Sequence, residues 1–441
     1  MPDLDTAIAD GQTLRGLVKK AVKDGKAKEN KKQSKGGPQR DVMSMLNSYT
    51  TKNGEVVVRP TRRNIHLILS HDTRLKGKIW EDQFKGIMMR ADQEYKDTDD
   101  TKIQMWMDAV YGMRVSTSSV AEVARLVGEE NAKNPLTDWL NSLLWDGVER
   151  LSSWLVNGVG GDDISLNRDM GRRWMISAVA RAVRPGSKAD CCLILYGPQG
   201  ARKSTTFQIL AGDEYFCDTP MDIGSPNAYS QIRRAWIYEI AELDSIRKRA
   251  NSRTKAFLSA GFDTYRPAYG RHSVTVKRHC VFCGTTNEES FISDNTGSRR
   301  FWPVKIGKVN VEWLIENRDQ LWAEAVSAFR AGETWWLDGR HETDLKKVSE
   351  DFKETDPWQP MVEEWLIARN ELSVPEIMSN ALDLDANQMT KFSQMRVSDI
   401  LRDLGWRRKR ISKNNKRVYL WIRPEVLAFP QPIDTDNGSK E

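Results

Sequence analysis

Residues Cys191 to Thr206 read CCLILYGPQGARKSTT, and this stretch decides the fold. Its first six residues, Cys191 to Tyr196, form the continuous apolar run that a parallel strand covered on both faces requires. Gly197 and Gly200 follow, and glycine lets the backbone fold tightly enough for several N–H groups to converge on a phosphate. The stretch therefore predicts a buried strand, a phosphate-binding loop and the N-terminus of a helix.

The loop departs from the usual phosphate-binding motif at one position. That motif ends in Gly-Lys-Ser/Thr, whereas Arg202 stands here in place of the second glycine. Lys203 would neutralise phosphate charge, and the Ser204 hydroxyl would bind Mg²⁺. We expect the nucleotide-binding residues to be Gly197, Pro198, Gln199, Gly200, Ala201, Arg202, Lys203, Ser204 and Thr205.

Length and charge favour a soluble protein of several domains. At roughly 150 residues each, the 441 residues predict about three domains. The net charge is only +6, but residues 15–40 hold ten Lys or Arg against two acids, and residues 407–417 hold seven bases and no acid. Such clusters point to a polyanionic partner, although a solvated face is the commoner explanation of a single run. Neither a membrane-length apolar stretch nor a signal-peptide core is found, so we expect a cytoplasmic protein without a membrane partner.

The cysteines do not suggest a disulfide framework, because the chain has five of them, an odd number. Cys280 and Cys283 have metal-ligand spacing but lie within an apolar, strand-like run. We interpret both as core cysteines and keep a metal site as the minor alternative.

Two later runs resemble parallel strands that end in polar residues. The run 235–238 leads into Glu239 and Glu242, and the run 281–286 leads into Asn287. Because the carboxyl ends of parallel strands meet at one edge of a sheet, these side chains would converge on the phosphate loop. There a carboxylate can hold Mg²⁺ or polarise an attacking water, and an asparagine can orient that water. Capping and turn roles are the alternatives for each residue taken singly.

Arg299 and Arg300 stand directly before the apolar run Phe301 to Val304. Ordinary surface charge is one interpretation of this pair. In a ring ATPase, the pair would instead be an arginine finger that reaches the nucleotide of the neighbouring subunit.

The segment Thr264 to Lys277, TYRPAYGRHSVTVK, predicts a β-hairpin, since it alternates on both sides of a Tyr-Gly-Arg-His tip. Its basic residues suit nucleic acid, and its tyrosines could stack on bases. A hairpin with a solvated edge explains the composition equally well. The candidate DNA-binding residues here are Arg266, Tyr269, Arg271, His272 and Lys277.

The C-terminal region predicts two helices followed by a basic two-stranded ribbon. Ser373 to Glu376 forms a capping box, and a second helix ends at Gly405. Residues 406–411 and 417–422 can then pair as strands. This order of elements is typical of a winged-helix DNA-binding domain. The residues expected to contact phosphates are Arg396, Arg402, Arg407, Arg408, Lys409, Arg410 and Lys413.

Together these motifs resemble the virulence-associated protein E family, helicase-like proteins of phages and mobile elements that are related to superfamily 3 helicases of the AAA+ class. The resemblance is specific over roughly residues 134–304. It is carried by Trp145 to Arg150, Gly197 to Gly200, Lys203 to Thr205, Glu239 to Leu243, Tyr265 to Arg271, Gly284 to Asn287 and Gly297 to Pro303.

The resemblance implies an α/β fold with a P-loop AAA+ core, a helical collar through which such helicases form hexamers, and ATP and Mg²⁺ as cofactors. For the nucleotide site, the resemblance implies that Lys203 and Ser204 belong to Walker A, that Glu239 and Glu242 are the Walker B acids with Glu239 on the metal, and that Asn287 is sensor 1. It also implies an arginine finger at Arg299 or Arg300. The hairpin would be a translocating hairpin, with Arg271 and His272 near its tip. We expect five parts: a flexible basic segment (1–40), an α+β domain (41–130), the collar (131–185), the ATPase domain (186–345) and a winged-helix-like domain (346–441).

Two functional hypotheses follow. The first is an ATP-dependent DNA helicase or translocase of phage or mobile-element replication. It would act as a hexameric ring on single-stranded or forked DNA in the cytoplasm of a bacterial host. Host or phage replication proteins would be its further partners. The second is a non-catalytic or weakly hydrolysing DNA-binding protein, an origin binder or interference factor that keeps the AAA+ fold, and Arg202 favours it. A small-molecule kinase would explain neither the hairpin nor the ribbon.

Overall fold

The computed structural model of the protein describes residues 38–222, 225–241, 252–266, 272–288, 300–352, 356–413 and 416–423. The chain divides into two compact units after Phe352. The first unit combines helices with a parallel sheet, and the second combines helices with a small antiparallel sheet. The basic segment expected at residues 1–40 lies almost entirely outside the described residues, and the five-part division remains a prediction.

The first unit begins with an α+β layer that has its own apolar core, which includes Ile65, Trp106 and Val123. Strands β1 and β2 pair as an antiparallel hairpin, with Gly54 at a φ of 76° in the turn between them. The elements are α1 (Pro38–Met45), β1 (Ser48–Thr50), β2 (Val56–Val58), α2 (Arg62–His71), β3 (Ile79–Asp82), β4 (Ile87–Arg90), β5 (Gln93–Glu94), α3 (Asp97–Tyr111) and α4 (Thr117–Glu130).

Three helices precede the parallel sheet: α5 (Pro135–Ser142), α6 (Trp154–Asn157) and α7 (Ser165–Val183). Helix α5 begins where its capping residue predicts, because the Asn134 side chain accepts a hydrogen bond from the Thr137 N–H at 3.2 Å. Helix α7 is buried along most of its length, and its Trp174 donates Nε1–H to the Phe282 carbonyl at 3.0 Å. Helix α7 therefore covers the sheet.

The elements that build the site come next along the chain. They are β6 (Cys192–Tyr196), α8 (Lys203–Ala211), β7 (Phe216–Cys217), α9 (Pro226–Arg234), β8 (Ile237–Ala241), α10 (Ser252–Ser259), β9 (Phe262–Tyr265), β10 (Val274–Lys277), β11 (Val281–Thr286) and β12 (Phe301–Lys305).

Five of these strands form a parallel sheet in the order β12-β6-β11-β8-β7. The strands are nearly continuous apolar runs, as a sheet buried on both faces requires. Strand β11 lies between β6 and β8, so that Thr286 is opposite Tyr196 and Cys283 is opposite Glu239. The three strands that carry the predicted site residues are therefore adjacent. Glu239 is the middle residue of β8, whereas the apolar run 235–238 predicts that it follows the strand.

Strands β9 and β10 form the predicted antiparallel hairpin, with Val274 opposite Tyr265. Its tip, residues 267–271, lies outside the described residues. The base of the hairpin is held by a buried ion pair, in which Arg278 donates Nε–H to Asp263 at 2.9 Å. Gly186 also donates its N–H to the Arg278 carbonyl at 2.8 Å, which ties the hairpin to the segment after α7.

Two helices complete the first unit: α11 (Val311–Arg330) and α12 (Gly339–Asp351). The second unit contains α13 (Gln359–Leu366), β13 (Glu371–Leu372), α14 (Val374–Asn380), α15 (Lys391–Asp403), β14 (Arg407–Lys413) and β15 (Lys416–Ile422). The capping box at Ser373 is confirmed, with both of its hydrogen bonds formed. The ribbon has a third strand that the sequence pattern does not indicate, because β13 pairs with β15.

Candidate nucleotide-binding site

The loop of residues 197–202 joins β6 to α8 and bends where its glycines permit. Gly200 has a φ of 79°, in the left-handed region that glycine enters freely. At Gly197 the requirement is steric, because a Cβ atom there would lie 2.7 Å from Cγ1 of Ile306. Ile306 is itself fixed, since its N–H donates to the Tyr196 carbonyl at 2.8 Å. Gly200 is thus required by the backbone conformation, and Gly197 is required by the lack of space for a side chain.

Arg202 caps the N-terminus of α8 with a φ of 62° and a ψ of 33°. This is the left-handed conformation, which costs an L-residue roughly 1–2 kcal/mol. The departure from the motif therefore falls where the backbone itself favours glycine. The Arg202 side chain is exposed, and its carbonyl accepts a hydrogen bond from the Thr206 N–H at 3.1 Å.

The first residue of α8, Lys203, is buried within the loop. Its Nζ donates to the carbonyls of Gly197 and Pro198, both at 2.8 Å, and to Oδ1 of Asn287 at 2.6 Å. Only 8% of the side chain is exposed, and this burial lowers the pKa of Lys203. The amine is therefore fixed at the mouth of the loop by three oxygen acceptors.

Glu239 lies on β8 beside the loop and is 1% exposed. One carboxylate oxygen, Oε1, accepts hydrogen bonds from Ser204 Oγ at 2.7 Å and from Thr285 Oγ1 at 2.5 Å. Burial raises the pKa of Glu239, and the Thr285 and Ser204 hydroxyls oppose that effect. The other oxygen, Oε2, is buried and has no partner among the described residues.

The oxygens of Ser204 and Glu239 fit a hard divalent cation. Mg²⁺ prefers carboxylate and hydroxyl oxygens, keeps several waters and binds through one or two protein groups. An unpartnered, buried carboxylate oxygen next to a hydroxyl offers such a place. No group of three or more His, Cys, Asp or Glu side chains with metal-site geometry occurs in the part of the chain that the structure describes. Cys280 and Cys283 are both buried thiols.

Four of the predicted site residues therefore lie together: Lys203, Ser204, Glu239 and Asn287. Glu242 and Arg299, which the sequence also singles out, lie outside the described residues. Two further residues at the site, Thr285 and Asp218, are not predicted from the sequence. Asp218 directly follows β7, and its charge contributes to the raised pKa of Glu239.

Arg300 is not brought to the loop of its own chain. It precedes Phe301, which is opposite Cys192, so it lies at the amino edge of the sheet and about 13 Å along β6 from the loop. Its Nε donates to Ser259 Oγ at 2.9 Å and lies 3.7 Å from Asp190 Oδ2. Within one subunit, Arg300 is bonded to the segment that leads into the hairpin.

The predicted DNA-binding residues are mostly exposed. Arg266, His272 and Lys277 are exposed on the hairpin, whereas Tyr269 and Arg271 lie outside the described residues. On the ribbon, Arg407, Arg408, Lys409 and Arg410 are exposed, and Lys413 is the last residue of β14.

Two arginines of the second unit that are predicted to contact phosphates already have acidic partners. Arg396 donates to both carboxylate oxygens of Asp356, each at 2.8 Å, and its guanidinium lies 3.9 Å from the Trp358 ring centroid. Arg402 pairs with Asp399 one helical turn away. Their charges are neutralised within the unit, which weakens the prediction that they contact phosphates.

Residues 140–354 match the family model of the virulence-associated protein E-like domain. That stretch of the chain is similar to this domain. The resemblance drawn from the motifs is confirmed, and the match includes every described residue of the candidate site. The matched residues also include α7, the phosphate loop and the whole parallel sheet.

Three solved structures are similar to this chain at low identity. An apo structure of the NrS-1 C-terminal region has 10% identity and a TM-score of 0.41, and covers 78% of this chain and 95% of that one. A second apo form of that region has 11% identity, coverages of 64% and 78%, and a TM-score of 0.37. A RuvB mutant of Thermotoga maritima has 12% identity, coverages of 58% and 93%, and a TM-score of 0.21. TM-scores below 0.5 support no conclusion about function. None of the curated proteins matches the chain.

Across the described ranges, none of the helices combines the length and the apolar character needed to cross a bilayer.

Proposed function

We propose that this protein is an ATP-dependent DNA helicase or translocase of phage or mobile-element replication, which acts as a hexameric ring on single-stranded DNA. The observation that carries the proposal is the convergence of Lys203, Ser204, Glu239 and Asn287 at the carboxyl edge of a parallel sheet, beside a glycine-containing loop. In an open α/β sheet this edge is where ligands bind.

Each side chain has a definite task in this proposal. The loop N–H groups and the N-terminus of α8 would bind the β- and γ-phosphates, and Lys203 would neutralise their charge. Ser204 and Glu239 would hold Mg²⁺, which when bound neutralises charge on the transferring phosphoryl group. Asn287 would orient the attacking water, a task that requires Lys203 to exchange its contact with Asn287 for one with phosphate.

The basic hairpin and the basic ribbon supply the proposed contacts with DNA. Exposed cations on both elements suit phosphates, and binding of this kind weakens as salt concentration rises. The order of α14, α15 and the ribbon supports a winged-helix interpretation of the second unit. We assign the hairpin to translocation inside the ring and the ribbon to loading on DNA.

Two substitutions test the nucleotide site. Lys203→Ala and Glu239→Gln should each abolish DNA-stimulated ATP hydrolysis, because one removes the phosphate-binding charge and the other the carboxylate for the metal. Size-exclusion chromatography with light scattering should show unchanged assembly. Lys346→Ala, on the exposed surface of α12, is the matched control and should hydrolyse ATP normally. Undiminished turnover in Lys203→Ala or Glu239→Gln would refute the assignment.

The second candidate function is that of a DNA-binding protein that binds ATP but hydrolyses it weakly or not at all. The left-handed backbone of Arg202 favours it, because strain at the loop can oppose the geometry needed for hydrolysis. Binding of a fluorescent ATP analogue followed by a turnover assay separates the two functions. The helicase releases phosphate when DNA is added, and the DNA-binding protein does not.

A further inference from the structure

The two oxygens of the Glu239 carboxylate have different surroundings. Oε1 accepts two hydrogen bonds, from Ser204 at 2.7 Å and from Thr285 at 2.5 Å. Oε2 is buried without a partner among the described residues. A buried carboxylate oxygen left without a donor costs free energy, so this asymmetry needs a reason.

The asymmetry comes from the position of Thr285 in the sheet. Glu239 is opposite Cys283 of β11, and Thr285 stands two residues further along the same strand, on the same face. The Thr285 side chain is 8% exposed, and β11 is bonded to strands on both sides. A β-branched side chain on a central strand has little rotational freedom, so its hydroxyl is a fixed donor.

We propose that Thr285 is a positioning residue, whose hydroxyl holds Oε1 of Glu239 so that Oε2 is the oxygen left for Mg²⁺ or its bound water. This inference rests on the proposed function. Ser204 cannot do the same alone, because its own oxygen would also bind the metal. Thr285 would keep the carboxylate in one orientation while Ser204 takes part in metal binding, as partners of metal ligands commonly do.

Metal affinity gives the first test, with Mn²⁺ as the probe. Mn²⁺ is titrated into the full-length protein saturated with ADP, and free Mn²⁺ is followed by electron paramagnetic resonance. Thr285→Val keeps the side-chain shape but removes the donor, and should weaken Mn²⁺ binding by roughly tenfold, the lower end for lost partners of metal ligands. Thr285→Ser keeps the hydroxyl and should bind nearly as the wild type does.

Thr137→Val is the matched control, because it also removes a threonine hydroxyl that makes a hydrogen bond, here to the Asn134 carbonyl at 3.1 Å. Its Mn²⁺ affinity should be that of the wild type. Normal affinity in Thr285→Val would overturn this inference alone. A wild-type protein that binds no Mn²⁺ with ADP would overturn the proposed function, and this inference with it.

Urea unfolding of the protein without ligands checks that Thr285→Val and Thr285→Ser fold as the wild type does. If Thr285→Val does not fold, Thr285→Ala serves for the same comparison of Mn²⁺ affinity.

Discussion

Arg202 combines a left-handed backbone with an exposed, positively charged side chain. A left-handed residue with a Cβ atom is disfavoured by contact with the following carbonyl, whereas glycine avoids that contact. The structure therefore separates two effects of this residue: the strain in its backbone and the charge of its side chain. A substitution can remove the charge alone, or the strain together with the charge.

We expect Arg202→Gly to raise the free energy of unfolding by up to about 1 kcal/mol, because relief of the strain exceeds the entropy that glycine adds to the unfolded chain. Since the side chain is exposed, the rate of ATP hydrolysis should change little. Urea denaturation and a phosphate-release assay measure the two quantities.

Arg202→Ala is the control for that experiment, because alanine removes the guanidinium but keeps the Cβ atom and the strain. It should show no gain in stability. If hydrolysis rises strongly in Arg202→Gly, the wild-type loop is impaired and the weakly hydrolysing function is favoured. If hydrolysis changes in Arg202→Ala, the charge of Arg202 contributes to the site.

Single residues differ in how far the sequence could locate them. Lys203, Ser204, Glu239 and Asn287 were predicted because motif spacing and strand ends place such residues at one edge of a sheet. Thr285 could not be predicted as a partner of Glu239, because threonine is common in strands and the contact spans 46 residues. Asp218 was missed because β7 has only two residues and gives no periodic signal.

Among the elements, the hairpin β9–β10 is the one proposed to act in translocation. Its base is held by the buried pair Arg278 and Asp263. We expect Arg271→Ala combined with His272→Ala to uncouple ATP hydrolysis from strand separation, because the tip loses its charges while the site stays intact. Unwinding of a forked duplex and phosphate release should be measured in the same reaction.

The control for the hairpin is Lys346→Ala combined with Lys347→Ala, which removes two cations from the surface of α12. That variant should unwind DNA with wild-type coupling. Normal strand separation by the hairpin variant would show that the hairpin tip is not needed for unwinding. The ribbon would then be the element that contacts DNA.

The elements were easier to predict than the contacts between them. The strand before the phosphate loop, the hairpin and the capped helix at Ser373 follow from local patterns of apolar and capping residues. The ion pair of Arg396 with Asp356 spans 40 residues, and Asp356 lies in the short segment before α13, where the sequence has no periodic pattern of apolar residues. A sequence does not distinguish an arginine that has an acidic partner from one that is free, which is why Arg396 is predicted to contact DNA phosphates.

At the scale of the whole molecule, we propose that Arg300 acts on the nucleotide of a neighbouring subunit. It lies at the amino edge of the sheet, away from the loop of its own chain. We therefore predict that Arg300→Ala lowers ATP hydrolysis by about 10³-fold or more, the effect typical of an arginine finger. Mixing the Arg300→Ala chain with the Lys203→Ala chain should restore measurable hydrolysis. The Arg300→Ala chain supplies an intact nucleotide site, and the Lys203→Ala chain supplies the arginine.

Two controls make the mixing experiment specific. A chain carrying both Lys203→Ala and Arg300→Ala should restore nothing when mixed with Arg300→Ala. Ser259→Ala removes the hydrogen bond that Arg300 Nε donates within its own chain and leaves Asp190 in place, and it should hydrolyse ATP at the normal rate. A mixture as inactive as its components would argue against catalysis between subunits.

Strand β11 has one end near the hairpin and the other at the nucleotide site. Three residues separate it from β10, and Asn287 follows it directly. Six residues of extended chain measure about 20 Å, and hydrogen bonds to β6 and β8 prevent them from stretching or buckling. Pairing on both sides makes the strand a stiff connection between the hairpin base and Asn287. We therefore predict that a displacement of the hairpin base shifts Asn287 with it.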